Sequence, residues 1–330
     1  VYILCLTFIN NEIMEKQDSF RGHGIDQNFA TKFKSSEFYK EIYLKHKDEI
    51  IIGVRNGYIN LYYNCDSVSK IPCNSHSLKG EISTYYTDNV SRKRKNMIDS
   101  EMVACYDYIK KQSNKRSTFE KKAQARLFIE NNSNPDSEWY CIDVEYAKTG
   151  QHGRFDIIAI SKESPHKVAL IELKYGKHAL GGDSGIRAHI KDFYKFFTEA
   201  DSFKNLKSEL VSIIERLGEL GVDLPLSLQK LREENIAPNP LFHIIVLNNN
   251  GESEKDSTPK QTISGYLFND KRWECKRIST LIKKEGDYFE LINNDKSFPL
   301  TLLFSKSTLP NLGISDILSD KFYDKEIISF

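Results

Sequence analysis

A chain of 330 residues carrying 19 Phe and 17 Tyr can bury a sizeable core, and its length corresponds to about two domains. With 39% hydrophobic and 28% charged residues it lacks the long polar tracts of a disordered protein. The net charge of +1 excludes a globally polyionic chain but conceals a local asymmetry described below.

The opening VYILCLTFI is apolar yet too short to span a bilayer, which takes about 20 residues. It has neither a basic flank nor a small-residue cleavage site, so a secretory signal is not expected. Met14 opens a more ordinary polar stretch, so the residues before it read as a stray strand or a translation-start artefact. The cysteines at 5, 65, 73, 105, 141 and 275 form no CxxC pair and no Cys/His cluster at zinc spacing. That pattern suits a reducing compartment, and with no transmembrane stretch it predicts a soluble, cytoplasmic chain without a membrane partner.

Residues 27–48 place Phe29, Phe33, Phe38, Ile42 and Leu44 at roughly helical spacing. Ile50–Val54 and Tyr58–Tyr63 flank Asn56-Gly57, which predicts a hairpin with a type I′ turn. A further strand is expected near Glu81–Tyr86, making residues 20–90 the heart of a small α+β module. Tyr58 and Tyr62 share a strand face and could stack on unpaired bases, although tyrosines in strands more often simply pack.

From Ser91 to Arg126 eleven basic residues face four acids. Such a run suits a polyanion such as nucleic acid, and it is equally the composition of a solvated linker and helix face. Residues 96–131 read as helical with a break around Ser113–Ser117, the second piece capped by Ser117 or Thr118. In that piece Phe119, Ala123, Leu127 and Phe128 are expected toward a core.

Three strand candidates follow, Trp139–Ala147, Arg154–Ser161 and Val168–Tyr175, joined by short turn-like links that favour an antiparallel meander. Residues 184–220 read as helical, with Asp183-Ser184-Gly185 as a cap, and Leu241–Leu247 as a buried strand. Further strands are expected near Tyr288–Ile292 and Leu300–Phe304. The order from residue 118 is helix, three strands, helix, strand, which needs helices on a sheet to bury its apolar faces.

The chemistry is concentrated in Gly153–Gly176. Asp156 begins an otherwise apolar strand, while Glu172 and Lys174 lie two residues apart near the end of the next one, on one face. Any one of these at a fraying strand end is commonplace. Three ionisable groups on buried strands are costly unless paired or metal-bound. Two converging carboxylates suit Mg²⁺ or Mn²⁺, and a neighbouring lysine can orient water and stabilise charge on a phosphate oxygen. Glu145 is a further candidate acid, His152 and Arg154 candidate phosphate contacts, and no phosphate loop or Ser-His-Asp set is present.

Asp156, fifteen intervening residues and Glu172-Leu173-Lys174 resemble the signature of the PD-(D/E)XK (restriction-endonuclease-like) nucleases. The resemblance covers about 130 residues, and Phe155 stands where the strict signature has proline. It implies an α/β (α+β) fold with an α-β-β-β-α-β core, a mixed sheet flanked by helices. It further implies that Asp156 and Glu172 are metal ligands and Lys174 is catalytic. Glu120, four residues before Gln124, resembles the accessory acid and partner glutamine of the family's first core helix. His189 and Asp192 are weaker candidates for a site-lining role on the helix after the third strand, where a solvent-facing position is at least as expected. The expected division is residues 1–95, a module for nucleic-acid or partner contact, and 96–330, a nuclease-like domain with its core at about 118–248. The implied function is Mg²⁺-dependent hydrolysis of DNA, in phage defence, restriction or repair, with a homodimer favoured if both strands are cut. The alternative is a nucleic-acid-binding or assembly module without its own cleavage role.

Overall fold

The computed structural model describes residues 20–86, 94–116, 119–147, 153–176, 185–247, 295, 297–305, 313–318 and 325–329. The protein is a mixed α+β chain with two sheets and two compact units. One unit comprises residues 1–125 and 205–234, the other 126–204 and 235–330. This division differs from the one expected at residue 95. The helix after that point packs on the first sheet, and a later helical segment is assigned to the first unit as well. No helix among the described residues is long and apolar enough to cross a membrane.

The first unit opens with helix α1 (Gln27–Ser35), capped by Asp26 through the Phe29 amide at 2.7 Å. The helix expected over 27–48 breaks at Ser36, whose hydroxyl takes the Tyr39 amide, and a π-helical turn (Phe38–Tyr43) follows. Strands β1 (Ile50–Val54), β2 (Tyr58–Tyr63), β3 (Asp66–Pro72), β4 (Lys79–Ser83) and β5 (Arg94–Ile98) form one antiparallel sheet in sequence order. The hairpin at Asn56-Gly57 is present, but only Gly57 has positive φ, so its turn is not type I′. The next hairpin, unexpected from sequence, has Asn64 and Cys65 at φ 52° and 53°, the type I′ arrangement built without glycine.

Helix α2 (Asp99–Arg116) buries Met102, Tyr106 and Ile109 in an apolar layer that also contains Phe38, Leu61, Val68 and Ile82. Gly80 is required there, because a Cβ would collide with the Met102 sulfur and the Ser69 hydroxyl. Asp99 also accepts the Glu37 and Phe38 amides at 2.6 and 2.8 Å, tying the helix start to the π-helical turn.

Helix α3 (Phe119–Ser133) follows after the expected break; the residues proposed to cap it lie outside the described ones. Ala123, Leu127 and Phe128 are buried as expected, whereas Phe119 is 73% exposed. It occupies the first helical position, one turn before the buried stretch starts.

In the second unit, β6 (Trp139–Ala147), β7 (Arg154–Ser161) and β8 (Val168–Tyr175) form the expected antiparallel meander. The long helical stretch is two helices, α4 (Ile186–Thr198) in this unit and α5 (Ser202–Glu219), most of which belongs to the first unit. They are separated where Asp201 takes φ 66° and the Ser202 hydroxyl bonds the Glu199 carboxylate at 2.6 Å. Strand β9 (Leu241–Leu247) pairs parallel with β8 and with β10 (Leu300–Ser305), and β11 (Lys325–Ser329) completes a six-stranded mixed sheet. A short helix, α6 (Ile314–Leu318), precedes β11. The strand expected near 288–292 lies outside the described residues.

Aromatic packing fastens α4 to this sheet. Phe193 lies 5.6 Å from Phe155 and 5.1 Å from Phe242, and Phe155 meets Phe196 edge-on at 5.2 Å. On the outer edge, Asn132 donates to the Cys141 carbonyl and accepts its amide, at 2.9 and 2.8 Å. The side chain thereby takes the place of a neighbouring strand beside the bulge at Cys141–Asp143.

His243, on β9 between Ile171 and Thr301, has both ring nitrogens shut from solvent without a hydrogen-bond partner. Burial pushes its pKa down to about 4, so it folds neutral. The unfolded chain binds the proton first as pH falls, near 6.5. Stability is therefore expected to fall between pH 6.5 and about 4, by up to about 3 kcal/mol from this group alone. His243→Leu should flatten that window in urea titrations at pH 7 and 4.5. Parallel losses in parent and variant would remove the imidazole as the cause.

Candidate active site

The second sheet opens at one place. β7 remains paired to β6 down to Arg154, and β8 to β9 up to Tyr175, but the β7–β8 ladder stops at Ile157↔Ile171. One step further along the same register, Asp156 falls opposite Glu172. There the Asp156 Oδ2 accepts the Leu173 amide at 2.8 Å, so a side chain takes over from the missing strand partner. The fork thus keeps the Leu173 amide hydrogen-bonded where the β7–β8 ladder ends.

Glu172 and Lys174 pair in register with Ile244 and Val246 and share their face, while the fully buried Leu173 points the other way. Both ionisable side chains are buried, Glu172 at 4% and Lys174 at 5% exposure. The Lys174 Nζ donates to the Glu172 Oε1 at 2.6 Å, and the His189 Nε2 reaches the same oxygen at 3.0 Å. Burial raises the Asp156 pKa well above the usual carboxylate range, and the charge of Glu172 raises it further. The Leu173 amide and Lys174 oppose this, while Glu145 adds to it from β6. The local chemistry is therefore acid-rich, dry and only partly compensated.

Of the residues singled out in the sequence, Asp156, Glu172, Lys174 and His189 come together in the second unit. Arg154 lies two residues before Asp156 with an exposed side chain, and Asp192 is half-buried on α4. Glu145 is half-buried at φ 53°, an irregular point of β6 opposite the Asp156 position. Glu120 and Gln124 belong to the N-terminal part of α3, in the first unit; Glu120 is half-buried and Gln124 buried. His152 lies outside the described residues.

Phe155 acquires a clear role. At 1% exposure it centres the aromatic cluster with Tyr146, Phe193 and Phe196, so it anchors the strand immediately before Asp156. His189, only a weak candidate from sequence, had a legible signal. It falls in the apolar stripe Ile186–Ile190–Phe193 of α4, where a polar side chain needs a buried partner.

Part of the basic stretch is engaged within the first unit. Lys110 pairs with Glu49 at 2.6 Å, Arg116 donates to the Tyr86 hydroxyl at 2.9 Å and Lys122 to the Asn114 carbonyl at 3.0 Å. Lys111 and Lys115 are exposed on α2. Tyr62 is a core residue bonded to Arg55 and Tyr58 lies under Lys70, which favours packing over base stacking.

The chain matches no protein-family model, no curated protein and no solved structure.

Glu172 and Lys174 form a buried pair, so loss of either takes from the other its nearest opposite charge. Glu172→Gln and Lys174→Met are each expected to cost roughly 3 kcal/mol. The double replacement should cost clearly less than their sum in denaturant unfolding. Simple additivity would show that the two groups are not coupled.

Proposed function

We propose that the chain is a Mg²⁺-dependent nuclease hydrolysing phosphodiester bonds of DNA on a restriction-endonuclease-like core made from α3, β6–β8, α4 and β9. The observation that carries this reading is the fork, where Asp156 falls opposite the buried Glu172–Lys174 pair.

What supports a hard dication is the presence of two carboxylates on neighbouring strands. Asp156 and Glu172 offer carboxylate oxygens, and the Asp156 pKa is raised first by burial and then by the neighbouring Glu172 charge. Mg²⁺ commonly takes one or two carboxylates and completes its shell with water and substrate phosphate. A bound Mg²⁺ or Mn²⁺ would lower the pKa of a water and neutralise phosphate charge. The Leu173 amide holds the Asp156 carboxylate in place, and Lys174 orients the attacking water and stabilises charge developing on a phosphate oxygen. Arg154, exposed beside Asp156, is placed to contact a phosphate of the backbone.

The rival reading is a nucleic-acid-binding or assembly module that does not cleave. One observation favours it: among the described residues no group of three His, Cys, Asp or Glu side chains could hold a metal ion.

Supercoiled plasmid and linear single-stranded DNA, each incubated with Mg²⁺, Mn²⁺ or EDTA, separate the two. Metal-dependent products are expected from the parent, reduced about 100-fold or more in Lys174→Ala and Asp156→Ala, with the fold checked by circular dichroism. Binding that persists in EDTA, without products at any metal concentration, would establish the rival.

A further inference from the structure

We propose that His189 is a positioning residue that fixes the Glu172 carboxylate for a divalent cation, presenting its Oε2 to the ion. This rests on the nuclease reading of Glu172 and adds to it a residue from a different element.

Helix α4 is held by Ile186, Ile190 and Phe193, at 0%, 5% and 0% exposure. His189 occupies the same stripe, so the packing of its neighbours dictates where its ring lies. The Nε2 sits 3.0 Å from the Glu172 Oε1, with only 14% of the His189 side chain exposed. The same Oε1 receives the Lys174 Nζ at 2.6 Å. A carboxylate oxygen has two acceptor directions, and Oε1 already has two protein nitrogens beside it, one from its own strand and one from α4. Oε2 is then the oxygen left for a cation.

The division of work differs between the two donors. Lys174 shares β8 with Glu172, so both move with one strand. His189 comes from α4 and fixes the carboxylate plane relative to the helix, preventing rotation about the last side-chain bond. Outer partners of this kind typically alter metal affinity 10–100-fold when removed.

The full chain without nucleic acid is titrated with Mn²⁺ by calorimetry, for the parent, His189→Ala, His189→Gln and His189→Asn. Gln places an amide NH near the position of Nε2, whereas Asn is too short. His189→Ala and His189→Asn are expected to bind Mn²⁺ about 10–100-fold more weakly, and His189→Gln to bind close to the parent. The Mn²⁺ concentration for half-maximal cleavage should follow the same order. Parent-like binding by His189→Ala overturns the positioning role alone, as does a His189→Gln no better than His189→Asn. If His189→Ala fails to fold, the Gln and Asn pair decides the matter. A parent that binds no Mn²⁺ overturns this inference together with the nuclease reading.

Discussion

The second unit is organised around the separation of β7 from β8. A sheet buried on both faces has no inexpensive place for ionisable groups, since each unpaired backbone or side-chain polar atom in it costs stability. By ending the shared ladder at Ile157↔Ile171, the two strands create such a place without orphaning their backbone. The Asp156 carboxylate replaces a strand carbonyl as acceptor for the Leu173 amide. The outer ladders to β6 and β9 continue past the gap and keep both strands in position.

The surroundings keep that opening rigid. Phe155 and the α4 phenylalanines lock the strand and helix beside it, so Asp156 and His189 are carried on packed elements and not on a loop. Catalytic or binding geometry held to a fraction of an ångström needs this kind of support. Buried and partly compensated, the charges of Asp156, Glu172 and Lys174 are poorly explained as stabilising devices, because apolar residues of similar size would often serve stability as well or better. Their retention in a dry sheet is what makes the functional reading attractive.

The first unit shows the same polar and aromatic residue types in a structural role. Several lysines and arginines that gave the stretch 91–126 its basic character bond internal carbonyls, tyrosines or Glu49. Others, including Lys95, Lys111 and Lys115, are exposed. Its aromatic residues likewise serve the sheet: Tyr62 is buried against Arg55, and Lys70 covers Tyr58.

The meander β6–β8, β9 and the Asp156/Glu172/Lys174 set were legible from sequence, because apolar runs interrupted by charges at period 2 have few structural solutions. Strands β3 and β5 were not, since DSVSKIP and RKNMI carry polar and charged residues that only pairing with neighbours makes strand-like. The type I′ turn at Asn64-Cys65 was hidden for a related reason: without glycine, its left-handed backbone is held by the surrounding sheet. The division into units was equally hidden, because the chain returns to the first unit at 205–234 after most of the second unit's core strands are formed. Sequence by itself determined which residues could not be indifferent to burial. Tertiary structure alone decided that β7 and β8 part at Asp156, that His189 on a separate helix meets Glu172, and that part of the basic stretch is engaged internally. Those are pairings between distant segments, set by packing and register, for which local pattern holds no record.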